Sequence, residues 1–537
     1  MKFAFRAVIL IFTCLIQTAF VSAQSVAPDR PRLVIGIVID GLQQKHLDLM
    51  SNSFDPHGFK AFMNDGANLK NVSYNIVSAG NASDIATVMT GSVPFYHGIT
   101  GNKYYNRIND RIQSIIADDQ EIGIGTTETV SAHNLLGSTV VDELMMAFPG
   151  RAKSYAVAVQ PEDAIMLGGH TAASVAWIDD VSMKWVTTGY YRDGLHRMAD
   201  EMNVNGSFKS IINTTWRPLY AIATYQAALQ NKNLESFSYR PTEKKAKLSS
   251  ASILRNTPAA NTLVAQLGIK IIENEKLGAD NVPDILMLQF TLRTPEEKLF
   301  SLQAAEKEDM YLRLDKEIQS LIQKVESAVG LNKTLFFIVG NQTNVHSPTE
   351  LGNNNIPAGY FSASRSMALV NTYLMALYGQ EKWISGYYGK NIFLNKQKIE
   401  EKKLNFRDVQ QAVADFMLEF EGVQSAFPTP QILNLNGNSN DEFTRLRNSF
   451  HKNSSGDVVF SLLPGWLEVN DKLQPVGESN SILSFTPAYF YGWKIKQQLI
   501  KKSYRITDLA PTISDILNIP VPNVCVGNPI TEITEIQ

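Results

Sequence analysis

The sequence predicts an α/β fold: a mixed or mainly parallel central sheet, flanked by helices and decorated by two insertions. Three observations carry this. First, Leu33–Asp40 is a continuous apolar run ending in an acid, the pattern of a strand buried on both faces. Second, similar runs recur at 154–160, 284–290 and 335–340, with helical patterns between them. Third, Tyr311, Leu314, Ile318, Leu321, Ile322 and Val325 recur at helical spacing, which predicts an amphipathic helix over 306–329. Strands alternating with helices imply a layered α/β sheet. Such sheets bind ligands at the carboxyl ends of their strands, where Asp40, Gln160 and Asn341 stand.

The remaining elements follow in order. Residues 58–67 read as a short helix and turn. Residues 205–258 are polar, with Lys-Lys-Ala-Lys at 244–247, and read as an inserted cap or loop. Residues 355–455 hold helical patterns at 366–378 and 406–421, a Tyr-Tyr-Gly turn at 387–389 and a polar tract at 436–440; they read as a second insertion. Core segments are expected at 24–204, 259–354 and 456–537. In the last of these, 457–463 and 487–491 read as strands and 506–517 as a closing helix.

Composition bounds the function. The 537 residues are 44% hydrophobic and 19% charged, as in a packed globular protein. A net charge of −3 gives no general basic footprint for nucleic acid. Two cysteines, Cys14 and Cys525, are too few for a disulfide scaffold or a cysteine-built zinc cluster. The N-terminus has the order of an export signal: Lys2 and Arg6, then an apolar stretch over 7–16, then Val21-Ser22-Ala23 before Gln24. The apolar stretch is short for a membrane span. Cleavage after residue 23 would leave Cys525 alone and no membrane span, so the expected location is periplasmic or secreted.

The chain resembles the alkaline phosphatase superfamily. Within it, the chain is similar to the monomeric bacterial alkaline phosphatases with a threonine nucleophile and to the type I phosphodiesterase/nucleotide pyrophosphatases. The resemblance runs over about residues 31–533. It rests on the 30–40 run, on Thr90-Gly91-Ser92-Val93-Pro94 with His97-Gly98 and Gly101-Asn102, and on Gly168-Gly169-His170 with Trp177. It rests also on Tyr311 to Asp315, 356–359, Phe490-Tyr491-Gly492-Trp493 and 506–512. It implies a three-layer helix–sheet–helix core with two inserted cap segments. It also implies two zinc ions about 4 Å apart that activate a hydroxyl nucleophile and clamp a phosphoryl group.

Carried over position by position, the resemblance finds most of that chemistry missing. The first-strand metal-binding aspartate is Asp40. The nucleophile, nine residues before Thr90-Gly91, falls on Asn81, whose amide has no ionisable oxygen. The next metal-binding aspartate and histidine fall on Thr294 and Lys298. The following Asp-His pair falls on Asn341 and Gln342, and the late histidine near Val476. The lysine and arginine that grip phosphate fall on Gln160 and Glu162, while the phosphate-contacting asparagine is kept as Asn102. One retained carboxylate cannot hold two zinc ions, since a zinc site needs about four ligands for its roughly 10–16 kcal/mol.

Other residues have two readings each. Asp40 either caps the helix after its strand or lines a polar pocket. Ser78, Ser83 or Thr87 could serve as a shifted nucleophile, although a slip of one or two residues turns a helical side chain by about 100–200°. Asp84 is a candidate new ligand. His97 and His170 sit in fold-marking loops, and His133 and His346 are candidate metal ligands. The ammonium of Lys298 is a candidate partner for Asp40, which otherwise is a buried charge without a counter-ion.

The leading expectation is an exported protein that has lost its nucleophile and most zinc ligands, holds no cofactor, and binds a small molecule, glycan or protein. The alternatives are a metal-dependent phosphomonoesterase or phosphodiesterase/nucleotide pyrophosphatase with relocated residues and two zinc ions, and a structural envelope protein.

Overall fold

Every residue of the strand Leu33–Asp40 is buried in the computed structural model. It pairs in parallel with Thr334–Gly340 on one side and Asp284–Thr291 on the other. Parallel pairing continues from Asp284–Thr291 to Ser154–Val157 and on to Ser174–Ile178. Antiparallel strands extend both flanks. Trp185–Thr188 and Gly123–Ile124 follow Ser174–Ile178. Ser484–Gly492 and then Ala67–Tyr74 follow Thr334–Gly340. Gln498–Ile500 and Tyr504–Arg505 add in parallel to Ala67–Tyr74. The central sheet is therefore mixed, with a parallel middle, as the alternation of strands and helices predicts.

The described residues are 29–77, 79–191, 193–230, 236–240, 250–294, 304–341, 348–434, 441–472, 476 and 484–535. The expected signal at 1–23, with Cys14, lies outside them. Residues from Pro31 onward form one compact unit, and no helix among the described residues is long and apolar enough to cross a membrane.

Successive strand residues point to opposite faces, so the central strands feed two separate cores. Val34, Val38, Phe337 and Val339 join one cluster, with side chains of Asn81–Thr90, Val140–Ala147, Pro161–Gly168 and Leu509–Leu517. Leu33, Ile35, Ile37 and Phe336 join the other, with side chains of Phe59–Asp65, Pro258–Glu275 and Ala305–Ala328. The result is helix–sheet–helix. The long helix begins with Ala305 and ends with Ala328, close to the expected 306–329.

Two strand assignments differ from expectation. Ala67–Tyr74 is a full strand of the central sheet although its sequence is polar in the middle. Only its ends are buried at every residue, so it lacks the continuous apolar run that marks the central strands. Val458–Leu462, expected to return to the core, instead pairs with Val423–Pro428 and Asn391–Leu394 in a separate four-stranded sheet with Ile384–Tyr388. Its Val458, Phe460 and Leu462 bury against Trp383, Ile392 and Val413. An apolar run looks the same in either sheet, and the partner decides. The 205–258 segment is tied to the long helix through Asp309, which accepts from Trp216 Nε1 (2.6 Å), Leu219 N (2.6 Å) and Tyr225 Oη (2.5 Å).

Gly492 ends its strand at φ +93°, and a Cβ there would lie 2.2 Å from the Thr334 carbonyl oxygen. Both the left-handed backbone and the main-chain clash oppose any side chain. Gly492→Ala should lower unfolding stability by roughly 2–4 kcal/mol, measured by urea denaturation followed by circular dichroism.

Candidate functional site

The parallel strands deliver their carboxyl ends to one place. Asp40 ends Leu33–Asp40 and is 1% exposed. Asn341 follows Thr334–Gly340 and is equally buried. Asn81 opens the helix Asn81–Thr90, and Asp163 lies in the first turn of Pro161–Gly168. Arg293 and Thr294 follow Asp284–Thr291, and Lys307 opens toward them from the start of the long helix.

These side chains form a closed polar cluster. The Arg293 guanidinium donates from Nε to Asp40 Oδ2. Asn341 Nδ2 donates to Asn81 Oδ1 at 2.6 Å, and Asn341 Oδ1 accepts from Gly41 N at 3.1 Å. Asn81 Nδ2 faces Asp163 Oδ2 at 3.3 Å and Asp40 Oδ2 at 3.5 Å, the longer of the two being a weak bond. Lys307 is buried, donates to the Leu292 carbonyl at 2.7 Å and is attracted by Asp40. Asp40 Oδ1 and Thr294 Oγ1 are buried without a hydrogen-bond partner among the described residues.

Burial sets the protonation pattern. It brings the Lys307 ammonium down to about 8, against the pull of Asp40, with Arg293 and Lys45 adding repulsion. Burial also pushes the Asp163 carboxyl well above the ordinary carboxylate range, and the charges of Glu162 and Asp40 push the same way. Two carboxyl groups this close in a desolvated site resist sharing full charge.

Asn102 and the helix Asn81–Thr90 belong together. The residue before the helix is Gly80, at φ +125°, with no side chain to cap it. Asn102 Oδ1 accepts from Ala82 N at 2.9 Å and so satisfies one of the helix's orphan donors from a separate loop. Gln160 is the residue before Pro161–Gly168, with no side-chain cap bond, and Glu162 is half-buried in that helix's first turn. Val476 stands elsewhere: its N–H donates to Glu468 O, in the strand Trp466–Val469 beside the smaller sheet. Lys298, Gln342, His346 and Ser78 lie outside the described residues.

Among the candidate substitutes, Ser83, Thr87, His97 and His170 are committed to structural bonds. Ser83 Oγ donates to Gly80 O at 2.9 Å and Thr87 Oγ1 to Ser83 O at 2.7 Å. His97 is fully buried, with Nε2 3.2 Å from Thr87 Oγ1 and Nδ1 accepting from Ile99 N. His170 spans Tyr190 Oη and Gly137 O, and Asp84 is buried within its helix. His133 is exposed in a loop. Sequence reasoning missed Arg293, Lys307 and Asp163. Arg293 was within reach, since it is the residue beside Thr294 and a cation at a strand end.

The model of the type I phosphodiesterase/nucleotide pyrophosphatase family matches residues 34–482. The chain belongs to this family. It is 27% identical to alkaline phosphatase PafA of Elizabethkingia meningoseptica over 97% of both chains. The crystal structure of wild-type PafA superimposes with a TM-score of 0.85, covering 95% of this chain and 100% of that one. Two further relatives share 27% identity: a calcium-transporting ATPase of Myroides odoratus, over 98% of this chain and 99% of its own, and alkaline phosphatase PhoV of Synechococcus elongatus, over 94% and 93%. One identity level thus spans two named activities, so family membership fixes the fold and the place of the site, and the side chains in the site must fix the rest.

Two outcomes test this geometry. Arg293→Met strands the buried Asp40 carboxylate and should cost about 2–4 kcal/mol, less than a fully buried pair because the guanidinium is partly exposed. Adding Asp40→Asn should recover at least half of that in urea denaturation, and equal additive losses would contradict the pairing. On the acid side, burial and then His451 push the His97 imidazole down to about 3 from 6.5. Its stability contribution is complete above pH 6.5 and is lost as pH falls toward 3, at about 1.4 kcal/mol per pH unit. His97→Gln should flatten that slope.

Proposed function

We propose that this chain is a non-catalytic member of its family, exported from the cytoplasm, that acts by binding. The observation that carries the reading is the partner of Asp40. The carboxylate that would ligate a metal is taken by the Arg293 guanidinium, with the Lys307 ammonium close by.

Paired dications need a set of anionic or imidazole donors. The described side chains here are two amides, the threonine hydroxyl of Thr294, two cations, the Asp40 carboxylate paired with Arg293, and one carboxyl, that of Asp163, held toward its protonated form. An ammonium and a guanidinium offer only donors and repel a metal, so the residues present do not fit two zinc ions. The resemblance puts the nucleophile at Asn81, and an amide cannot form or release a phosphoryl ester. Its two hydrogen-bonding ends are already engaged with Asn341 and with Asp163 and Asp40. Of the candidate hydroxyls, Ser83 and Thr87 donate to backbone carbonyls, and Ser78 lies outside the described residues. Glu162, where the resemblance expects an arginine, repels a phosphate. Export is supported by the Lys2/Arg6, apolar, Ala23 order at the N-terminus.

Protein purified without chelator should carry no stoichiometric zinc by mass-spectrometric metal analysis and should not hydrolyse p-nitrophenyl phosphate when zinc is added. About two tightly bound ions per chain, with turnover abolished by Asp40→Ala and by loss of one nearby hydroxyl, would sink the reading and establish relocated catalysis. The mature chain recovered outside the cytoplasm should begin at Gln24.

A further inference from the structure

The beginning of the long helix Ala305–Ala328 is gripped from two sides. Residues two apart stand about 200° apart around a helix axis. Lys307 and Asp309 therefore face opposite ways, and so do Tyr311 and Arg313. The helix contains neither Gly nor Pro, so it has no built-in kink.

One face holds the turn after Asp40. Lys307 Nζ donates to the Leu292 carbonyl at 2.7 Å, and a Cβ on Gly41 would lie 3.2 Å from that same nitrogen. The ammonium thus sits against the Asp40–Gly41 turn. One helical turn further along, Tyr311 Oη accepts from Gln43 N at 3.0 Å and donates to Gly41 O at 3.3 Å.

The other side holds the insertion. The Asp309 carboxylate is wholly buried; it accepts from Trp216 Nε1, Leu219 N and Tyr225 Oη and pairs with Arg313 at 2.6 Å. Arg313 Nη2 also donates to Arg217 O at 2.8 Å, Glu308 accepts from Gln226 N at 2.8 Å, and Glu306 accepts from Tyr239 Oη at 3.1 Å. The insertion is closed on itself here: Trp216 and Tyr239 exchange both backbone bonds, at 2.7 and 2.9 Å, and their rings lie 5.4 Å apart. A buried carboxylate depends on its donors, since each one lost leaves charge without solvent to replace it. Asp309 is therefore the main anchor between the insertion and the helix.

We propose that residues 216–230 with Tyr239 are a strap that positions the polar centre across the width of the helix. Asp309 is a positioning residue: releasing it lets the helix start shift, and Lys307 and the Asp40–Gly41 turn shift with it. A continuous helix carries a displacement of one face to the other because its own hydrogen bonds keep its backbone rigid. This goes beyond the non-catalytic reading and does not depend on it, since the centre is held the same way whether it binds or turns over a ligand.

Hydrogen–deuterium exchange of the full mature chain, followed by mass spectrometry, tests the strap with two variants. Asp309→Asn withdraws the charge from all the donors at once; Tyr225→Phe removes a single hydroxyl and remains informative if the first variant fails to fold. Residues 216–226 should exchange at least tenfold faster in Asp309→Asn and at least threefold faster in Tyr225→Phe. Residues 40–47 should speed up with them, because the Gln43 amide is held by Tyr311 on the far face of the helix. Acetylation of the buried Lys307, relative to the exposed Lys402, should rise at least threefold in the same variants. Gly492→Ala, which loosens the fold elsewhere, should leave residues 40–47 and Lys307 protected. Faster exchange at 216–226 with 40–47 and Lys307 unchanged would reduce the strap to local packing and overturn the proposal. So would unchanged exchange at 216–226 in both variants, or equal exposure of Lys307 in Gly492→Ala.

Discussion

The buried carboxylate of Asp40 is the constraint around which the rest of the centre is arranged. Removing a carboxylate from water costs several kcal/mol, and the cost stands unless a charge or a set of donors replaces the solvent. Here Arg293 supplies the charge, Asn81 supplies a weak amide donor, and Lys307 adds a second positive charge nearby. The same desolvation that raises the need for a counter-ion holds the neighbouring Asp163 toward its neutral form. The cluster therefore carries a consistent charge pattern.

That pattern also ties the architecture together. Asp40, Asn341 and Arg293 stand at or just past the ends of three adjacent strands, and Asn81 and Asp163 open two helices that pack on the same face. The Asn341–Asn81 bond and the Asn341–Gly41 bond join a strand end, a helix start and a tight turn. Asn102 holds the Asn81–Thr90 helix from outside by accepting from Ala82 N. In this chain amides and cations link these ends, within a backbone that superimposes on PafA with a TM-score of 0.85.

Much of this was legible in the residues. The central strands announced themselves because burial on both faces requires uninterrupted apolar runs, and the long helix because its apolar stripe repeats at 3.6 residues. The polar cluster was legible through Asp40, Asn81 and Asn341, which the strand-end rule and the resemblance both single out. Its cations were not. Arg293 pairs with Asp40, distinguishable only by where the chain turns after Asp284–Thr291, while the expected partner Lys298 lies outside the described residues. Lys307 and Asp163 were invisible because nothing local marks a charged side chain on a helix as facing inward. Val476 was assigned by counting through loops of unequal length, and its bond to Glu468 puts it beside the smaller sheet.

The sequence by itself determined the class of the fold, the four central parallel runs and the long helix, and it carries the residue order of an export signal. These are local or periodic properties, and a single chain carries them without reference to distant contacts. Only the tertiary structure decided which strands share a sheet and which cation pairs with Asp40. Pairing energies and burial depend on groups brought together from remote parts of the chain, and no local pattern encodes that proximity.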